Sequence, residues 1–440
     1  MENMNPWWKG KNNIEKDEDY VKWKESKVKW IPSLLEKIEL KPFSLNFLFG
    51  PRQIGKTTLI KLLIKELLEK VENPKSIFYY RCDKLSDFKE LDEIIEKYLK
   101  IKEAEKIKTS YLFLDEVTFP KEWFRAIKFR IDMGNLKNDV LLLTGSLSMF
   151  AKKEVETFPG RRGFGRDFTF YPLSFREFIK ISNSALFKNL EVIKKFTPKE
   201  IKNKCFKLVS QISELNDAFK SYLTCGGFPL AIKSFLENGR VSQEARDSYL
   251  SAFLYDLAKL KRNELIAKRV LKAVIEKVPS SLSLSSIAKE FEIKSHKTVF
   301  YYLDLLEKLF ILKNVYFIEP NKNIEIFSKE RKIHLVDPFF YLVFSDWCST
   351  KIPDEAIIVE SVVASHLARK FKVGYWKNRF EINIVLPEKF IGFEVKWKKK
   401  VELKKRRVGK IKSVIYLTKD EFNDSPLAVP VSIFLGCLEV

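Results

Sequence analysis

The sequence predicts an α/β fold: a parallel sheet with helices on both faces, followed by further helical and α/β segments. Three observations carry that prediction. Apolar strand-like runs alternate with helical patterns from Leu45 to Tyr171, the pattern of crossover units. A glycine-bearing loop joins the first run to the first helical stretch. Two adjacent carboxylates close the third run, at the edge where open α/β sheets take ligands.

In chain order, residues 1–40 read as a polar lead-in with embedded Trp7, Trp8, Trp23 and Trp30, expected to pack over the adjoining domain. Strands are predicted at Leu45–Phe49, Ile77–Cys82, Tyr111–Leu114, Val140–Thr144 and Phe168–Tyr171. Their near-continuous hydrophobicity fits burial on both faces. Helices are predicted between them at Thr58–Val71, Phe88–Leu99 and Glu122–Asp132.

From Ser174 to about Lys277 the pattern is helical, broken by Gly226-Gly227-Phe228-Pro229, and reads as a helical lid beside the sheet. Two amphipathic helices, Leu282–Phe291 and Ser295–Phe310, then precede strands at Ile311–Ile318 and Lys332–Val336. Ser295 is a fitting N-cap, and helix, helix, ribbon is the order of a winged helix. After a helix around Glu355–Lys370, strands are expected at Val373–Trp376, Glu381–Leu386, Ile391–Lys396, Val414–Leu417 and Val431–Leu435. A basic run, Lys398–Lys412, lies among them. The expected domains are therefore 1–40 as lead-in, 41–173 as core, 174–277 as lid, 278–345 as winged helix and 346–440 as a terminal α/β domain.

Composition narrows the function classes. A chain of 440 residues suits about three domains at roughly 150 residues each. With 45% hydrophobic residues it can bury real cores, which excludes disordered and collagen-like classes. Its 80 Lys and Arg against 58 Asp and Glu leave a net charge of +22, a balance that favours polyanionic partners: nucleotide, nucleic acid or an anionic membrane surface. Five scattered cysteines and three dispersed histidines give neither zinc-ligand spacing nor a disulfide framework. No signal-peptide pattern and no apolar run of about 20 residues occurs, so the expectation is a cytoplasmic protein with no membrane span.

The sharpest motif is Gly50-Pro51-Arg52-Gln53-Ile54-Gly55-Lys56-Thr57, followed by Thr58. It satisfies GxxxxGK[ST] and sits between a strand and a helix, the context of a phosphate-binding P-loop. Backbone N–H groups and the helix N-terminus supply donors and positive field for phosphate. Lys56 is expected on the β and γ phosphates of ATP and Thr57 on Mg2+. In Tyr111-Leu-Phe-Leu-Asp115-Glu116 the strand delivers two carboxylates. Asp115 is expected to bind Mg2+ and Glu116 to orient the attacking water, since phosphoryl transfer needs mainly positioning and charge neutralisation. The next strand ends in Thr144-Gly145-Ser146; Thr144 and Ser146 are both candidates to sense the γ-phosphate, or to cap the strand. Arg161 and Arg162, in Pro159-Gly-Arg-Arg-Gly163, either stabilise transition-state charge, in cis or across a subunit boundary, or form an exposed basic turn.

Together the P-loop, YLFLDE, LLLTGS, PGRRG, YPLSFREF and YLTCGGFP resemble the archaeal AAA-type ATPase family, over nearly the whole chain. The resemblance implies an AAA+-like ATPase core, a winged helix and a C-terminal domain similar to restriction endonucleases. It implies that Arg161 or Arg162 acts as finger or sensor. The nuclease-like pattern would fall on Glu360, on Glu381-Ile382-Asn383 and on Glu394-Val395-Lys396. Asn383 stands where that pattern has a metal-binding Asp. An amide brings no charge to a hard cation, which favours a degenerate domain kept for binding or assembly.

The functional expectation is a Mg-dependent ATPase that couples nucleotide state to domain movement, acting on nucleic acid or a partner protein. Lys294, His296 and Lys297 on the second helix of the winged-helix candidate, with Lys404, Lys405, Arg406, Arg407 and Lys410 on the basic run, are the candidates for DNA or RNA phosphates. Homo-oligomerisation would follow from a finger acting in trans. The alternatives are a nucleotide-controlled DNA-binding scaffold with negligible turnover, and a nucleotide-gated nuclease.

Overall fold

The computed structural model describes residues 1–145 and 158–440. The chain forms two compact units, Met1–Tyr171 and Pro172–Val440.

In the first unit, β1 (Ser44–Phe49), β2 (Ile77–Arg81), β3 (Tyr111–Asp115), β4 (Val140–Gly145) and β5 (Asp167–Thr169) form one sheet in the order β2-β3-β4-β1-β5. Every pairing is parallel. Every residue of β1 and β4 is buried, as a sheet covered on both faces requires. Among the described residues its α-helices are α1 (Glu18–Glu25), α2 (Lys56–Lys70), α3 (Phe88–Ala104) and α4 (Phe124–Asp132). Placing β4 between β3 and β1 brings the ends of β1, β3 and β4 side by side, and these are the ends that carry the phosphate loop, Asp115 and Thr144.

Strand β2 is an edge, and its outer backbone groups need partners. The lead-in supplies them with side chains instead of a strand. Asn5 accepts from the Tyr79 N–H at 2.7 Å and donates to its carbonyl at 2.9 Å. The indoles of Trp7 and Trp8 both donate to the Ile77 carbonyl, at 3.0 and 2.8 Å. Trp8 also stacks on Tyr98 of α3, and Trp30 on Phe170.

The second unit begins with helices α5 (Phe175–Ser182), α6 (Ser184–Lys188), α7 (Pro198–Phe206), α8 (Ile212–Cys225), α9 (Pro229–Asn238), α10 (Gln243–Lys259) and α11 (Glu264–Lys277). The pair α12 (Leu284–Glu290) and α13 (His296–Lys308) comes next, with Ser295 capping α13, then the antiparallel hairpin β6 (Leu312–Glu319) and β7 (Ile324–Leu335). Helices α14 (Pro338–Cys348) and α15 (Glu355–Ala368) lead into β8 (Gly374–Lys377), β9 (Glu381–Leu386), β10 (Ile391–Lys396), β11 (Ser413–Thr418) and β12 (Ala428–Pro430), and α16 (Val431–Gly436) closes the unit.

Strands β6 to β12 make one seven-stranded sheet in the order β12-β11-β10-β9-β8-β6-β7. The ribbon expected to belong to a winged helix is thus the edge of the C-terminal sheet: β6 pairs with β8 through Tyr316–Gly374 and Phe317–Tyr375. A side chain at Gly374 would meet Ile318 at 2.3 Å, so the junction requires glycine.

One expected strand is a helix. Val431–Leu435 forms most of α16, and the strand lies just before it, at β12. All six residues of α16 are buried, so neither the helical nor the alternating period is legible in the sequence.

The YPLSFREF and GGFP segments prove to be joined. The Leu173 N–H donates to the Gly227 carbonyl at 2.8 Å, and the Tyr222 hydroxyl to the Leu173 carbonyl at 2.8 Å. The buried Asp337 carboxylate accepts from the N–H of Gly227 at 2.9 Å and of Phe339 at 3.0 Å. Gly226 has φ +69°, and a Cβ there would stand 2.0 Å from Asp337. Ser174 and Glu177 form a capping box on α5, and the Phe175 N–H donates to His366 Nε2 at 3.0 Å.

Candidate functional site

The phosphate loop follows β1 and opens α2 as the motif requires, and its two glycines serve different needs. Gly55, the N-cap of α2, has φ +95°, a conformation that costs glycine little. At Gly50 a Cβ would lie 2.5 Å from the Phe170 carbonyl oxygen, so that glycine lets the chain leave β1 against the end of β5. Gln53 takes φ 58° within the loop. Lys56 is buried, and its ammonium donates to the carbonyls of Gly50 and Pro51, both at 3.0 Å. The cation therefore sits inside the curve of its own loop.

Asp115 stands at the end of β3, fully buried among hydroxyl donors. Thr57 Oγ1 donates to its Oδ2 at 2.6 Å, the Tyr79 hydroxyl to the same oxygen at 3.1 Å, and Thr144 Oγ1 to Oδ1. Thr144 also accepts the Glu116 N–H at 2.9 Å, so one hydroxyl fixes both acids. Glu116 has φ 54°, and its Oε2 is buried with no hydrogen-bond partner among the described residues. Strain and an unpaired carboxylate oxygen are both costly, and the two coincide at one residue.

Mg2+ fits these residues. Thr57 and Asp115 would hold it, since they already touch and offer the oxygen donors that a hard cation prefers. No group of three or more His, Cys, Asp or Glu among the described residues could hold a metal. Mg2+ is usually held by one or two carboxylates, with substrate phosphates and water completing the shell.

The arginine loop lies elsewhere. Leu45 N–H donates to the Arg162 carbonyl at 3.0 Å, and Gly163 bridges to Ser44, so Arg161 and Arg162 flank the amino end of β1. At about 3.3 Å per strand residue, that is about 16 Å from Gly50. The structure therefore does not bring Arg161 or Arg162 together with the phosphate loop of the same chain. The glycines explain the segment: a Cβ on Gly163 would stand 2.2 Å from the Phe43 oxygen, and one on Gly165 would stand 2.0 Å from the Leu45 oxygen. They let the run lie against β1. Arg161 pairs with Asp132 at 2.6 Å, and Arg162 with Asp167 at 2.6 Å while covering the Phe47 ring. Ser146 lies outside the described residues.

Sequence reasoning missed the buried shell behind Asp115. Lys61, on α2, is only 2% exposed in its side chain and pairs with Asp17 at 2.9 Å. Its ammonium rests 3.3 Å from the Tyr79 ring centroid. Burial pulls the Lys61 pKa down, opposed by Asp17. Burial and then the nearby Asp115 push the Tyr79 phenol far above its usual range, so it stays protonated and donates to Asp115. The available signal was a lysine inside the apolar run Leu59–Ile64.

The C-terminal residues Glu360, Glu381, Asn383, Glu394 and Lys396 also converge. Asn383 donates to Glu360 at 2.8 Å and accepts the Val395 N–H at 2.9 Å. Lys332, from β7, places its ammonium 2.7 Å from Glu360 and also against Glu381. Arg406 and Lys396 each approach Glu394 at 2.8 Å. Burial raises the Glu360 pKa, against the opposing pull of Lys332. Protein cations thus already compensate these acids. Lys404, Lys405, Arg407 and Lys410 are exposed, as are Lys294, His296 and Lys297.

Residues 43–179 match a family model described as an AAA domain. That match spans the parallel sheet from β1 to β5 and runs into α5, with the phosphate loop, Asp115 and Thr144 inside it. Residues 216–350 match a second model, described only as a domain of unknown function (DUF8612). No curated protein sequence matches the chain. Among solved structures, the Orc1 protein of Aeropyrum pernix in complex with DNA is 15% identical, with a TM-score of 0.31 over 71% of this chain and 89% of that one. A RuvB variant from Thermotoga maritima is 15% identical, with a TM-score of 0.28 over 70% and 90%. Cdc6p from Pyrobaculum aerophilum is 14% identical, with a TM-score of 0.25 over 70% and 88%. No helix among the described residues is long and apolar enough to cross a membrane.

Proposed function

We propose that the AAA domain binds ATP with Mg2+ and hydrolyses it, and that nucleotide state drives movement in the rest of the chain, acting on nucleic acid or a partner protein. The observation that carries this reading is the 2.6 Å contact of Thr57 with Asp115 at the mouth of the loop, beside the unpaired Glu116 oxygen. Backbone N–H groups of residues 50–58 would cradle the phosphates, and Lys56 would turn its ammonium from its own carbonyls to the β and γ oxygens. Bound Mg2+ would neutralise charge on those oxygens. Glu116 Oε2 would accept a hydrogen bond from the water that attacks the γ-phosphorus as the bond to the β-bridging oxygen breaks, releasing ADP and phosphate. Thr144 holds Glu116 and Asp115 in register for that step.

On this reading Arg161 or Arg162 reaches a phosphate only from a neighbouring copy. The test is ATP turnover with Lys56→Ala, which is expected to abolish it. Unchanged turnover rejects the site, and absence of any ATP uptake by the folded wild-type protein in calorimetry rejects the reading.

The exposed cations at 294–297 and 404–410 support nucleic acid as the second partner through phosphate contacts. DNA affinity should then fall steeply with salt, and a flat response rejects it. The pairing of Glu360, Glu381 and Glu394 with Lys332, Lys396 and Arg406 favours binding over cleavage in the C-terminal sheet, because metal-ion catalysis needs acids free to hold the ion.

A further inference from the structure

Two contacts from the lead-in converge on one residue beside the phosphate loop. The Asn5 side chain takes both backbone groups of Tyr79, at 2.7 and 2.9 Å. Asp17 fixes the Lys61 ammonium at 2.9 Å, and that ammonium lies 3.3 Å from the centre of the Tyr79 ring. The third end of Tyr79, its hydroxyl, donates to Asp115 Oδ2 at 3.1 Å, the oxygen that Thr57 also reaches. Main chain, ring and hydroxyl are thus each held by a different group, and every one of those groups is buried: Asn5 and Asp115 are 0% exposed and Lys61 is 1% exposed.

An edge strand needs only its backbone groups satisfied, which Asn5, Trp7 and Trp8 accomplish. A buried ammonium under an aromatic ring is not needed for that. It costs desolvation, offset here by Asp17 and by the ring face, and its geometric consequence is a fixed phenol direction.

We propose that Tyr79 is a positioning residue for Asp115, and that residues 1–17 complete the Mg-ATP site by holding Tyr79 from two sides. The inference rests on the ATPase reading. The lead-in is then part of the enzyme's working structure: anything that peels Asn5 and Asp17 away loosens the carboxylate that meets Mg2+, while the phosphate loop itself stays intact.

The test is Tyr79→Phe, which keeps the ring under Lys61 and deletes only the hydroxyl. The Mg2+ concentration for half-maximal ATP hydrolysis should rise about five- to tenfold, the scale of one buried hydrogen bond. Affinity for ATP without Mg2+ should not change. Asp17→Asn should shift Mg2+ dependence in the same direction, and the double variant should show less than the sum of the two shifts, because both act along one path. A purely structural role would lower the melting temperature and leave Mg2+ dependence alone. Wild-type Mg2+ dependence in Tyr79→Phe, or fully additive shifts, overturns the inference while leaving the ATPase reading standing. A wild-type protein that takes up no ATP overturns both.

Discussion

The two sheets each gather carboxylates, and they treat them in opposite ways. At the end of β3, Asp115 is surrounded by the hydroxyls of Thr57, Tyr79 and Thr144, and Glu116 keeps a buried oxygen with no partner among the described residues. Against the C-terminal sheet, Glu360 of α15 and Glu381 of β9 share Lys332, while Glu394 meets both Arg406 and Lys396. Buried charge is tolerable only when something answers it. In the second cluster the protein supplies the answer from its own chain; in the first, among the described residues, one carboxylate oxygen is left unanswered. The difference distinguishes a site from a structural polar core more sharply than the presence of acids does.

That contrast can be broken by experiment, and the largest effect belongs to Glu116. Glu116→Gln should lower ATP turnover by about 10² to 10⁴, the usual contribution of a positioned base, with nucleotide binding retained in calorimetry. Equal turnover would place Glu116 outside the chemistry and erase the contrast.

Next comes Lys332→Met. Its side chain is 1% exposed, and its removal strands Glu360 and Glu381. We expect a loss of about 3–5 kcal/mol in urea unfolding. A loss below about 1 kcal/mol would mean that water or rearrangement already screens those acids.

Asp337 sharpens the comparison, because it is a buried acid answered mainly by backbone N–H groups, with a smaller pull from the Arg369 charge. Burial outweighs them and pushes its pKa up to about 7. The folded value lies above the unfolded one, so its contribution is fully present near pH 4 and is lost as pH rises through about 7. Asp337→Asn retains an acceptor and removes the ionisation. The wild-type minus variant stability should therefore fall between pH 4 and pH 7 by on the order of 2–4 kcal/mol. His366 carries the opposite sign: burial holds its pKa well below the usual value, so its contribution is lost as pH falls below about 6.5, and it cancels in that difference. A flat difference profile would contradict the buried, ionisable Asp337.

The smallest effect is expected at Arg161, whose pair with Asp132 is exposed. Arg161→Ala should leave the melting temperature unchanged. If the arginine acts across copies, turnover should fall only at concentrations where the chain self-associates.

Much of the first unit was legible, because its signals are local. Strands Leu45–Phe49 and Tyr111–Leu114 announce themselves by near-continuous hydrophobicity, and the phosphate loop, Asp115 and Glu116 by fixed spacing. Placing Thr144 at the site needed only the strand's end. The place of Arg161 and Arg162 was not legible, because a glycine-flanked basic turn looks the same whether its glycines admit a phosphate or a neighbouring strand. Lys61 and Tyr79 went unread because their meaning lies in Asp17 and Asn5, far away in sequence. The Val431–Gly436 helix went unread because total burial removes any period.

The chain's order of residues by itself determined the phosphate-loop core and the identity of its acids, because backbone donors at a helix start and charges at a strand end follow from spacing alone. Only the tertiary structure decided which acids stay unanswered, where the arginine loop lies, and that the lead-in reaches Asp115 through Tyr79. Those depend on which distant segments share a buried volume of low dielectric, where a single ammonium or hydroxyl settles whether a charge is spent within the protein or left for a ligand.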